Sequence, residues 1–138
     1  MRKLQLTQET DYAIRAVLFL AKKEGEIVEA QVISDDQTIP KRFLLKICRK
    51  LIKAGIIESY RGKHGGYKLA KKPEKITLKD VIETIEKDLV VNRCQLDTDA
   101  CNRDATDHCV IHHIFNSISD VLAKEFSKYD FKTLAEMD

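Results

Sequence analysis

The chain has 138 residues, 43% of them hydrophobic and 33% charged, with a net charge of +2. That composition supports one ordinary folded domain and excludes a disordered polyelectrolyte. It also excludes nucleic-acid binding by overall charge alone, so any nucleic-acid face must come from local clustering of Lys and Arg.

Thr7 or Thr10 is placed to cap a first helix running to about residue 23, with Tyr12, Ala13, Ala16, Val17 and Leu20 as its apolar stripe. Gly25 ends it. A short helical piece is expected over 29–34, then a polar turn over 34–40 in which Pro40 suits a helix start. The next helix spans about 41–54. Phe43, Leu44, Ile47, Cys48 and Leu51 form its buried stripe, and Arg42, Lys46, Arg49 and Lys53 lie toward the other side. Helix, short turn and basic helix make a helix-turn-helix pattern. Residues 56–60 and 67–69 read as strands around the turn Arg61-Gly62-Lys63-His64-Gly65-Gly66, a wing whose glycines let the backbone pass close to a duplex.

Thr77 caps a helix over 78–86 that buries Val81, Ile82 and Ile85. A polar loop over 92–109 follows, rich in Asp and Asn. A long helix then covers about 109–128. Its apolar residues, Ile111, Ile114, Phe115, Ile118, Val121, Leu122 and Phe126, recur at threes and fours. That stripe is too rich for one helix over a small core and suits pairing with its copy in a homodimer. Residues 133–135 form a last short turn. The expected fold is mostly α, a winged helix-turn-helix with a long C-terminal dimerisation helix. Residues 1–75 form the DNA-binding region. Residues 76–138 hold the connecting helix, the cysteine loop and the dimerisation helix, in a single intertwined domain.

Reading a major groove needs outward side chains near the start of a helix, flanked by phosphate contacts. Arg42 and Lys46 take that place, with Pro40 and Lys41 beside them, and Arg61, Lys63 and His64 supply cations at the wing tip. Taken singly, these would be a solvated helix face and an ordinary hairpin. Their order along the chain favours double-stranded DNA.

Three cysteines, Cys94, Cys101 and Cys109, follow a C-x6-C-x7-C spacing, and His112 comes one helical turn after the last. Protein iron–sulfur clusters usually take four ligands, mostly thiolates. The fourth cysteine, Cys48, sits on a buried stripe and suits a small apolar role. His112 is placed to share a site with Cys109. Three cysteines and a histidine also make a zinc set, though the C-x2-C elbows of zinc fingers are absent. A metal-free thiol–disulfide switch is the other rival. No cofactor fingerprint or nucleophile constellation points to an enzyme. No apolar run approaches the length of a membrane span, and Met1-Arg2-Lys3-Leu4-Gln5 opens no signal peptide. A cytoplasmic location without membrane partners is expected, in a reducing compartment that disfavours structural disulfides.

Thr10-Asp11-Tyr12-Ala13-Ile14-Arg15-Ala16, Phe43-Leu44 with Leu51-Ile52-Lys53-Ala54-Gly55-Ile56-Ile57, and the wing motif ending in Tyr67 carry a family resemblance. With the cysteine trio and the long last helix, the chain resembles the Rrf-two family of bacterial winged-helix regulators, which includes the IscR and NsrR types. The resemblance implies a homodimer on a pseudo-palindromic operator, with an iron–sulfur cluster (4Fe-4S or 2Fe-2S) in a cysteine loop near the partner's DNA-binding unit. IscR-like members ligate the cluster with a histidine at the place of His112. NsrR-like members use an aspartate at the place of Asp11, reaching from the partner subunit. This chain carries both. It departs from the family at Leu45, where IscR-like members have a glutamate, and in its wider cysteine spacing. The expected function is transcription regulation with operator affinity controlled by the cluster, sensing redox, nitric oxide or iron–sulfur status. The alternative is a zinc- or thiol-switched regulator of the same fold.

Overall fold

Thr7 opens helix α1 (Gln8–Lys22), its hydroxyl accepting the Thr10 N–H at 3.3 Å. This computed structural model describes residues 4–138, apart from the Thr98 side chain. The three residues read above as the start of a non-signal N-terminus lie outside that range. Thr10, the other capping candidate, is fully buried instead. Ala13, Ala16, Val17 and Leu20 face the core, and Tyr12 is only half-buried. Helices α3, α4 and α6, bounded below, all pack against α1, which makes it the centre of the fold.

Helix α2 (Ala30–Gln37) runs three residues beyond the expected piece, through Asp35, Asp36 and Gln37. Ile33 and Ser34 face inward, and the Ser34 hydroxyl donates to the Ile39 carbonyl at 2.5 Å. With that buried polar group satisfied, the acids project into water and the helix continues. The turn shrinks to the residues around Thr38, whose φ of 55° is left-handed. Helix α3 (Lys41–Lys53) follows, burying Leu44, Ile47, Cys48 and Leu51. Phe43 does not join them. It is 43% exposed, with the Arg42 guanidinium 4.9 Å from its ring centroid. The spacing 44, 47, 48, 51 already completes one face, and Phe43 lies about 100° round from it.

Strands β1 (Ile57–Tyr60) and β2 (Gly66–Leu69) pair antiparallel, from Ile57 opposite Leu69 to Tyr60 opposite Gly66. Val28 adds a bridge on the other side of β2, exchanging two 2.8 Å backbone bonds with Tyr67. Here the wing glycines have an internal use. Gly66 has φ 151°, and a Cβ there would collide with the Val28 carbonyl; one at Gly65 would collide with the Tyr60 carbonyl.

A 3-10 turn at Pro73–Lys75 leads to α4 (Leu78–Glu86), which starts with a capping box between Thr77 and Asp80 and buries Val81, Ile82 and Ile85. Helix α5 (Val110–Phe126) leans on α4 and on the turn that carries Cys94. Residues 133–135 lie not in an isolated turn but within α6 (Phe131–Met137), capped by Asp130. The reason is Phe131, fully buried against the body, with its N–H bonded to the Ile76 carbonyl at 2.9 Å.

Glu86 ties the end of α4 to the start of α1. Its Oε1 accepts from Thr10 Oγ1 at 2.6 Å, Thr7 Oγ1 at 2.8 Å and Thr7 N at 2.9 Å. Burial opposes the carboxylate's charge, but these bonds outweigh it and hold the pKa below the ordinary glutamate value. A depressed carboxylate stabilises the fold above the unfolded-state pKa, and that contribution is lost as pH falls through the folded one. Thr10→Val is therefore expected to lower stability at neutral pH and to lessen its loss on acidification. Denaturant midpoints across the acid range would check this, and parallel curves for the two proteins would refute it.

Candidate DNA interface and cysteine loop

The helix-turn-helix is α2, the turn at Thr38, and α3. Pro40 is the N-cap of α3, and its carbonyl takes the N–H groups of Phe43 and Leu44 at 3.0 Å. Pro40, Lys41, Arg42 and Lys46 are all exposed on the first turns of α3. Arg61, Lys63 and His64 are exposed in the wing turn between β1 and β2. Lys41, Arg42, Lys46, Arg61 and Lys63 form no ion pair among the described residues. Lys50 differs, because it is drawn back to Glu9 at 2.6 Å. Exposed, unpaired cations thus stand at the start of α3 and at the wing tip, the two places from which a winged helix can reach phosphates and base edges. Arg61→Ala is expected to weaken operator binding and to reduce the slope of affinity against salt by roughly 1. Titrations at several salt concentrations test this, and an unchanged slope removes Arg61 from the interface.

Cys48 lies in the core, and burial pushes its thiol pKa up to about 12. It is therefore an inert apolar filler. The other three cysteines are half-buried and unpaired, spread over a loop with 3-10 turns at Arg93–Gln95 and Thr98–Ala100. His112, in the first turn of α5, places Nδ1 3.1 Å from Cys94 Sγ. Cys109 is the N-cap of that helix. After Cys101 the chain turns, with the Asp104 N–H bonded to the Cys101 carbonyl at 3.1 Å and Asp104 at φ 51°. The nearby backbone N–H groups of Ala105 and Arg103 outweigh desolvation of the Cys101 thiol and, with the Asp104 N–H and the Arg103 charge, hold its pKa below the usual value. A sulfur so held favours the thiolate, the form that binds metal.

Asp11 lies on α1, half-exposed, bound to Arg15 at 2.6 Å and to Gln8 at 3.2 Å. Cys94 and His112 are thus brought together within the chain, while Cys101, Cys109 and Asp11 are not gathered with them. No three ligand-type side chains converge among the described residues. As a donor set, three thiols with an imidazole or carboxylate fit an iron–sulfur cluster.

A group the sequence reading passed over surrounds Cys94. Gln95 Oε1 accepts the N–H groups of Val91 at 2.7 Å and Asn92 at 3.1 Å. Gln95 Nε2 donates to Asn116 Oδ1 at 3.0 Å and to Ser119 Oγ at 2.9 Å. Asn116 Nδ2 lies 3.4 Å from His112 Nε2. Two signals for it stood in the sequence: the capping-box spacing of Asn92 and Gln95, and the one-turn spacing of His112 and Asn116.

A helix-turn-helix with a basic recognition helix and a basic wing defines a winged-helix, DNA-binding transcription regulator. The chain belongs to the Rrf2 family, described as iron-dependent transcriptional regulators, whose profile matches residues 6–137. It is 35% identical over 127 residues to the HTH-type transcriptional regulator NsrR of Bacillus licheniformis, covering 91% of this chain and 83% of that one. In fold it is similar to T. potens IscR, with a TM-score of 0.74 at 21% identity, covering 97% of this chain and 88% of that one. It is also similar to CymR, the global cysteine regulator of B. subtilis, with a TM-score of 0.73 at 21% identity and 99% of both chains covered. No helix among the described residues is long and apolar enough to cross a membrane.

Proposed function

We propose that the protein is a dimeric regulator whose grip on a pseudo-palindromic operator is set by an iron–sulfur cluster in the loop between α4 and α5. Cys94, Cys101 and Cys109 would hold it, with a fourth ligand from His112 or from Asp11 of the partner subunit. The observation that carries this reading is the loop itself: Cys94 faces His112 at 3.1 Å, and Cys101 and Cys109 lie unpaired and half-buried in the same loop. When bound, the cluster would supply an oxidisable, nitric-oxide-reactive centre joining these side chains.

Three thiols separated along the loop must be drawn toward one point to share a ligand, so loop geometry differs between loaded and empty protein. Cys109 caps α5, so that difference is passed to the helix whose apolar ridge would pair with a second copy. Half-sites lie about one duplex turn, roughly 34 Å, apart, so a change in how two copies pair changes how two α3 helices meet DNA.

Anaerobically isolated protein should be brown, with iron and acid-labile sulfide. Cys101→Ala should abolish the colour and leave the circular dichroism unchanged, because Cys101 lies in a loop outside the hydrophobic core. Unchanged visible absorbance in that variant would remove Cys101 from the ligand set. The second reading, a thiol- or zinc-switched regulator, draws on three unpaired, half-buried thiols and on the fold shared with CymR. Colourless wild-type protein, with stoichiometric zinc or with no metal, would establish it.

A further inference from the structure

We infer that His112 donates a hydrogen bond from Nδ1 to the Cys94 sulfur and is not itself an iron ligand. Asn116 and Gln95 are the positioning residues that hold it in that role.

One chain of hydrogen bonds fixes the His112 tautomer, beginning at donors that cannot be reversed. Backbone N–H groups only donate, so the Gln95 atom facing Val91 N and Asn92 N must be its oxygen. The other end of that amide is then its NH2 group, which faces Asn116 and Ser119. Asn116 must meet an NH2 group with its own oxygen, and so turns its NH2 group toward His112 Nε2. Facing a donor, Nε2 must present its lone pair. In a neutral imidazole the proton is then on Nδ1, the nitrogen 3.1 Å from Cys94 Sγ. That nitrogen has no lone pair for a metal, and the lone pair of Nε2 is engaged by the Asn116 NH2 group at 3.4 Å, so neither ring nitrogen is free to bind iron. Ligation through Nδ1 would require the proton on Nε2, opposite the Asn116 NH2 group. Relieving that clash by turning Asn116 would set its NH2 group against the Gln95 NH2 group, which the two backbone donors hold in place.

This inference rests on the cluster reading for its consequence, though not for its geometry. Hydrogen bonds to ligand sulfur are one of the protein's controls on cluster potential. A donor at Cys94 would favour the reduced state, and His112 would thereby set how readily the centre is oxidised.

Two measurements on the full chain test it. In chelator-treated, reduced protein, nitrogen NMR of the neutral His112 ring should show the proton on Nδ1 in wild type and on Nε2 in Asn116→Asp, which offers His112 acceptors only. A wild-type ring protonated on Nε2 overturns the inference, whether or not the protein ever holds iron. In anaerobically loaded protein, His112→Ala and Asn116→Asp should both keep wild-type iron and sulfide per chain. Both should also shift the reduction potential to more negative values. If His112→Ala falls to the iron content of Cys101→Ala, His112 is a ligand and the inference fails. If the iron stays and the potential does not move, the hydrogen bond has no effect on the centre and the inference again fails. Colourless wild-type protein would instead count against the cluster reading, leaving the NMR result to decide the role of His112.

Discussion

Ile118→Asp is expected to break the proposed dimer into monomers and to lower operator affinity by at least about an order of magnitude. Helix α5 buries only Ser119 against its own chain, leaving Ile118 42% exposed and Val121 65% exposed. Ile111, Ile114, Ile118, Val121 and Leu122 follow three- and four-residue spacing, so they make one continuous apolar ridge with Ile118 near its middle. A patch of that kind marks an interaction site. A second copy of α5 is the proposed occupant, because the same ridge on both partners satisfies a two-fold interface. A carboxylate at residue 118 would have to lose its hydration inside that contact with no cation facing it, a cost of several kcal/mol. The isolated fold should survive, since Ile118 is not part of its core. Sedimentation velocity and operator titration would read the two effects together. Lys124→Glu, away from the ridge, should remain dimeric. An Ile118→Asp protein that stays dimeric with unaltered affinity would refute the assignment of the ridge.

How far the sequence revealed this molecule depends on how local each signal was. The main apolar stripes of α1, α3 and α4, a cap at Thr7 or Thr10, the cap at Thr77 and the two strands of the hairpin all come from spacing within one or two turns, and they are legible in the sequence. Residues 35–37 read as a turn because Asp and Asp-like residues favour turns. Their helix is decided by Ser34 and Ile39 across the core, which no local pattern contains. The stripe read for α3 includes Phe43 beside Leu44, whereas the geometry of the helix buries Leu44 and leaves Phe43 exposed against Arg42. The wing glycines were legible as glycines, but the need for Gly66 comes from Val28, distant in sequence. At the site, residue types were visible and arrangement was not. The Cys94 and His112 contact spans 18 positions, and the Gln95 to Asn116 bond spans 21. Helix α6 was the largest omission: its seven residues carry little periodicity, and what fixes it is a contact with the opposite end of the chain.

That contact makes Phe131→Ala the substitution expected to cost most stability, about 3–5 kcal/mol. Phe131 is fully buried, and the side chain fills the junction of α6, α1 and the turn before α4. The backbone on either side is pinned there: Leu78 N–H bonds the Tyr129 carbonyl, and Phe131 N–H bonds the Ile76 carbonyl, each at 2.9 Å. Thr77 and Asp130 are bridged between them, and Lys22 pairs with Asp138 at the far end of the helix. Because these bonds keep α6 in position, the space left by a truncated ring is not refilled by collapse, and the cavity adds to the lost burial. For a chain of this length the loss corresponds to a fall in melting temperature of roughly 10–15 °C. Phe131→Leu, which keeps most of the apolar volume, should lose less than half as much. Both should be melted at one protein concentration, since subunit association stabilises a dimer by mass action. Operator binding should follow the loss only where unfolding begins, because Phe131 lies on neither α3 nor the wing. A Phe131→Ala protein melting with the wild type would mean that α6 is not docked on α1 in solution.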